Sequence, residues 1–247
     1  MITPDTRQAL VIGPAYGSVA NGREPLVDTT RLVRIATALI WTWLATDVAL
    51  GLSALYTIDV LGGLGDAIAP AGSSEGLEQV LTVTGVLNVL AVAAAGVAVL
   101  RWIYLTSRNA HALGAAMAVT PGWAVGWFFV PIANLWKPFQ AVRETWQVSA
   151  DPHAPDTVPI PAVLRIWWGC WIASSLISNI DFRLSMHAET AEQLITASWF
   201  TVAAVPVDIA LTIALTTIMR RLSQMQRDRA GDIRQAQPQV VEDATVE

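Results

Sequence analysis

Charge and thiol are what this 247-residue sequence has least of. Only 14% of its residues are charged while 53% are hydrophobic, which excludes an ordinary soluble domain because too little polar surface remains to cover the apolar mass. One cysteine, Cys170, excludes an internal disulfide and a stapled secreted fold; in its apolar run it serves packing. A single lysine, Lys137, and a formal charge of −5 leave no clustered cationic surface of the kind a nucleic acid needs. HExxH, GxSxG and a Walker loop are all missing. The three histidines, His111, His153 and His187, fall in three separate regions without metal-ligand spacing, so neither a metal nor a cofactor is expected.

What is abundant is apolar length. Four segments, at about Val33 to Ile58, Val80 to Leu105, Val163 to Phe182 and Leu194 to Met219, each reach the ~20 residues a helix needs to cross ~30 Å of hydrocarbon. None alternates with a period of two, and only helices or closed barrels satisfy every backbone group in lipid. The expected class is an all-α integral membrane protein: a four-helix transmembrane bundle over 33–222 between cytoplasmic disordered tails at 1–32 and 223–247. The first thirty residues lack a charged region followed by an apolar core and do not read as a signal peptide. From Met225 onward the chain is polar and ends acidic, the composition of a solvated tail.

Basic residues orient the spans, since they concentrate on the cytoplasmic side of short loops. Arg7, Arg23, Arg31 and Arg34 precede the first span, and Arg220, Arg221, Arg227, Arg229 and Arg234 follow the last, so both termini are expected inside a cell membrane. The loop from Asp59 to Gln79 has Asp59, Asp66, Glu75 and Glu78 but no Lys or Arg and should face outward, as should the loop after Phe182.

Between the second and third spans lies TPGWAVGWFFVPIANLWKPFQ, Thr120 to Gln140. Thr120 and Pro121 make a helix start, and Pro131 ends or kinks that helix near Val130. Ten residues of helix cover about 15 Å, half the hydrocarbon depth. Arg101, Arg108, Lys137, Arg143 and Arg165 flank the segment and all favour the cytoplasmic side, so a full crossing would strand Lys137 and Arg143 outside. The reading preferred is a re-entrant or interfacial segment over 113–149; the alternative is a kinked helix from about Ala112 that does span. Asn134 is positioned to cap a second helix, whose Leu135, Phe139, Val142 and Trp146 recur at helical steps opposite Lys137, Arg143 and Glu144 and describe a helix in the interface plane.

The string PGWAVGWFFVPIANLWKPFQAVRETW, preceded by RWIYLTSRNAHAL and followed by WWGCW at Trp167 to Trp171, resembles the DUF4328 family of bacterial membrane proteins over roughly Arg34 to Leu222. The resemblance implies a multi-helix membrane protein with a box at Pro121, Gly122, Trp123, Trp127, Pro131, Ile132, Ala133, Asn134, Leu135, Trp136 and Pro138, and carries no assigned activity.

Read physically, Ala118, Gly122 and Gly126 form a small-xxx-small face for a neighbouring helix, and the box tryptophans are belt anchors at the polar boundary. A second reading gives the break from Val130 to Asn134 a cavity to line, because freed backbone groups survive at membrane depth only against protein or water. Asp47, Asn88 and Asp208 fall near mid-depth and are expected to share one polar cluster. The acids there serve as hydrogen-bonded glue, as a proton or cation site, or face a lumen without titrating. The basic girdle of Arg101, Arg108, His111, Lys137, Arg143 and Arg165 serves topology and anionic headgroups. Three function classes follow: a membrane scaffold or accessory subunit contacting lipid, a partner membrane protein or a second copy; a small proton- or cation-coupled permeation unit on the midplane acids; and a lipid-modifying enzyme using the girdle with Glu144, which lacks a visible nucleophile.

Overall fold

The computed structural model describes residues 25–63 and 74–244, and every regular element among them is helical. The segment before residue 25 and most of the expected outward loop, with Asp66, lie outside the described residues. Four long helices appear: α1 (Thr30–Gly63), α2 (Ser74–Ala112), α5 (Ala162–Met186) and α6 (Ala191–Ala244). Two short ones, α3 (Pro121–Gly126) and α4 (Lys137–Ala150), lie between α2 and α5. The long helices pack side by side in the order α5, α6, α1, α2.

α1, α2 and α6 are long and apolar enough to cross a membrane. α5, at 25 residues, has the length, but Arg165, Asp181, Arg183 and the polar run Ser174, Ser175, Ser178, Asn179 dilute its apolar character below theirs. Among the described residues, three apolar crossing candidates rather than four are therefore what length and composition support.

The core sits toward the end of the bundle where α1 begins and α2 ends. Trp102, Ile103, Leu164, Trp167, Ile218, Met219 and Leu222 are all buried there with Ala141, Val142 and Trp146 from α4. A buried polar network locks this end. Asn109 of α2 accepts from the amide N–H of Val27 (2.9 Å) and donates to the Val27 carbonyl (2.9 Å) and to Gln226 Oε1 of α6 (3.0 Å). Gln226 Nε2 in turn donates to the Thr106 carbonyl and to Ser149 Oγ of α4, both at 2.9 Å. Trp102 Nε1 and Thr29 Oγ1 both donate to Ser223 Oγ, at 3.0 and 2.9 Å. Residues 109 and 149 are thus tied to the same side chain, so the chain between them leaves and returns at one end of the bundle.

Two expectations are corrected here. The stretch read as a solvated tail from residue 223 begins as helix instead: α6 runs to Ala244, and Ser223 and Gln226 are buried. After Pro206 no proline interrupts α6 until Pro238, and its polar side chains find partners on α2 and α4 rather than water. The second correction concerns α4, whose apolar face lies against protein rather than lipid: Pro138, Ala141, Val142, Thr145, Trp146, Val148 and Ser149 are buried. Trp146, like Trp102 and Trp167, is a core ring rather than a belt anchor.

Candidate functional site

Two polar or strained features interrupt this apolar bundle. The first joins α1, α6 and α5. Gly51 permits a close approach of α6, for a Cβ there would lie 2.6 Å from Val205 Cγ2. One helical turn from that contact on each helix, Asp47 and Asp208 come close enough for their charges to repel. Ser174 of α5 is buried and lies near the Asp208 carboxylate. Asp208 is buried and Asp47 half-buried; Asp208 Oδ1, Asp47 Oδ2 and the buried Thr212 Oγ1 have no hydrogen-bond partner. The proline at 206 removes one α6 backbone bond, leaving the Val202 carbonyl without its usual donor. Asn88 stands beside this pair rather than in it: its Nδ2 donates to Thr46 Oγ1 at 3.2 Å, the residue next to Asp47. No Lys, Arg or His belongs to the cluster, so a charged carboxylate there has no cationic partner.

The second feature is the box. Thr120 is the N-cap of α3 and Pro121 its first residue, though the Thr120 side chain makes no capping bond. The helix tightens into a 3-10 turn at Trp127–Phe129 and stops at Val130. Pro131 does not merely kink the chain. Ile132 adopts φ 68° and ψ −57°, and the Ala133 amide donates back to the Pro131 carbonyl at 2.8 Å. This is a γ-turn of the positive-φ kind, which is strained for a β-branched residue. A second 3-10 turn at Ala133–Leu135 leads to α4, whose N-cap is Trp136 and not Asn134. Asn134 Oδ1 is instead buried without a partner.

The turn pushes apolar side chains outward: Phe129 is 71% and Ile132 72% exposed, and Leu135 and Trp136 are exposed too. Trp168 of α5 holds the back of the turn, donating from Nε1 to the Leu135 carbonyl at 3.1 Å. It stacks on Trp171 at 4.7 Å, which meets Phe128 edge-on at 6.0 Å. Neither glycine of the expected small-xxx-small face meets a helix. A Cβ on Gly122 would meet open space, and one on Gly126 would meet the Trp123 ring of the same helix.

Beside the turn is a cleft of about 380 Å³ walled by Trp123 and Trp127, whose rings lie 4.5 Å apart, and by Lys137, Gln140, Arg143 and Asp156. The Lys137 ammonium sits 5.7 Å from the Trp127 ring centre, in cation–π range. Arg143 has its Nε buried without a partner. Glu144 is occupied otherwise, accepting from the Ala118 and Val119 amides at 2.5 and 3.2 Å and fixing the approach to α3. Of the expected girdle, only Lys137 and Arg143 share this cleft; Arg101, Arg108 and Arg165 are exposed elsewhere, Arg165 donating to the Ile160 carbonyl at 3.3 Å. Among the described residues no group of His, Cys, Asp and Glu is placed to hold a metal.

A family profile described as a domain of unknown function, DUF4328, matches residues 70–224, more than half of the chain. The chain belongs to the DUF4328 family. The DUF4328 match takes in Asn88, the whole box, α4, α5 and Asp208, whereas α1 with Asp47 and Gly51 precedes it; the resemblance had been expected to begin near Arg34. No curated protein and no solved structure is significantly similar to the chain.

Proposed function

We propose that this DUF4328 chain is a four-span protein of a cell membrane with both ends on the cytoplasmic face, acting as a non-enzymatic scaffold or accessory subunit. In this reading α5 is the fourth span and residues 113–136 enter and leave one leaflet. Supporting the re-entry is the Asn109–Gln226–Ser149 link, which returns the chain to the end it left. Depth agrees: Trp171, against which Phe128 packs, lies six residues beyond Arg165, about 9 Å of helix rise.

The observation carrying the scaffold reading is apolar surface left uncovered. Of the most apolar stretch of α2 only 11% is buried, against 44% in α6, and Val83, Val86, Leu87, Val89, Leu90 and Val97 all stand exposed. Together with Phe129 and Ile132 these give a broad greasy face and a fixed protrusion for lipid or a partner helix. Affinity purification in mild detergent tests this: a stoichiometric membrane partner lost on replacing Phe129 and Ile132 by serine is expected, and a clean single species from wild type contradicts it.

One specific observation favours a second reading. Asp47 and Asp208 are near enough for their charges to repel, and each keeps an unpartnered oxygen, an arrangement suited to holding a proton or a small cation. Loss of flux in proteoliposomes on Asp47→Asn and Asp208→Asn would support it, and unchanged flux would remove it.

A further inference from the structure

At the same end of the bundle as the box, the first turns of α1 and the stretch of α6 after Met219 enclose a crevice of about 550 Å³. Arg34, Arg220 and Arg227 line it, three guanidiniums in a chain whose formal charge is −5. The Thr37 Oγ1 in its wall is buried without a hydrogen-bond partner, and Val33 and Ala38 give it an apolar floor. Arg227 is held in place, donating from Nη1 to Thr30 Oγ1 at 2.7 Å, while Thr30 donates to Asp28. That aspartate accepts its hydrogen bonds from Thr30 and acts on Arg227 and Arg34 by charge, and a single carboxylate leaves the three guanidiniums with positive charge in excess.

We infer that this crevice binds the phosphate of an anionic glycerophospholipid headgroup. Guanidiniums match phosphate oxygens in pairs, and three of them line the crevice. Position selects a lipid over a free ion. Arg34 lies one turn inside α1, and Arg220 directly follows the apolar run ending at Met219, so the basic groups sit at the polar boundary with exposed Ile35 and Trp41 continuing along α1 toward the hydrocarbon. The inference rests on the membrane placement proposed above and is independent of the scaffold and transport readings.

The test uses the full chain in nanodiscs and native mass spectrometry after release, with phosphatidylglycerol, phosphatidylcholine and inorganic phosphate as probes. Phosphatidylglycerol is expected to stay bound where phosphatidylcholine does not. Arg34→Gln/Arg220→Gln/Arg227→Gln should weaken its retention by about tenfold or more, whereas Arg31→Gln/Arg221→Gln/Arg234→Gln, with the same loss of charge outside the crevice, should change it less than about twofold. Equal losses in the two triple variants, or none, overturn the site. Displacement of the lipid by millimolar inorganic phosphate overturns the lipid assignment in favour of a free anion. Carbonate extraction separates the premises: wild type released from membranes contradicts the membrane placement, whereas retained protein without lipid selectivity contradicts this inference alone.

Discussion

Gly51 of α1 lies so near Val205 of α6 that a single added carbon on the glycine would stand 2.6 Å from the valine methyl. The two helices meet there backbone to side chain, and the acids one turn away are brought together by that contact rather than by attraction. Gly51→Ala should therefore destabilise the bundle by about 1–3 kcal/mol, the usual penalty of overpacking. Adding Val205→Ala, which removes the obstructing methyl, should recover most of it. Reversible unfolding in mixed micelles checks both; a neutral Gly51→Ala contradicts the close approach.

Ile132 is the reverse case, a residue the backbone disfavours. Its φ of 68° is strained for a β-branched side chain, and at 72% exposure it contributes little burial. Ile132→Gly should leave the protein about 1 kcal/mol more stable, strain relief outweighing the greater chain entropy of glycine. Under the scaffold reading the same change weakens partner capture. Stability gained while capture is lost marks a strained functional protrusion; stability lost argues that the turn is relaxed.

Gln226 bonds Asn109, Thr106 and Ser149 while buried. Gln226→Ala leaves three buried groups short of partners and should cost about 2–3 kcal/mol. Because α4 loses a tie to α2 and α6, proteolysis in the 151–161 connection should accelerate. An unchanged melting point and cleavage rate would show that the network is not holding this end together.

The hydroxyl and amide of Thr30 both donate to Asp28, which with the more distant Arg227 and Arg34 holds its carboxyl below the usual carboxylate range. A depressed folded value contributes stability above the unfolded value and loses it as pH falls through the folded one. Wild type should thus exceed Asp28→Asn in stability at neutral pH, and the two should converge only below about pH 4. A gap that persists unchanged under acid would exclude this linkage.

Much of the bundle was legible because apolar run length is a strong signal: α1, α2 and α6 lie where the runs put them, and the helix break at Val130 follows from Pro131. The fate of side chains was not. Val142 and Trp146 have the spacing of a helix lying on lipid, and the same spacing serves a helix lying on protein; only the three-dimensional partners decide. Polar residues after Leu222 look solvated in sequence because Gln226 finds its partners more than seventy residues away. The turn at Ile132 had no signal in residue type, since glycine or asparagine is the usual occupant of positive φ. Glu144, weighed as a catalytic carboxylate, is a clamp on two backbone amides, a role that needs 26 residues of chain to fold back.

Entry and exit of residues 113–136 through one face of the membrane underlies the proposed topology. A topology reporter inserted at His153, in the exposed connection between α4 and α5, measures this directly. A cytoplasmic signal is expected there, the same as from a fusion after Arg234. A periplasmic signal at His153 with a cytoplasmic one after Arg234 would contradict it.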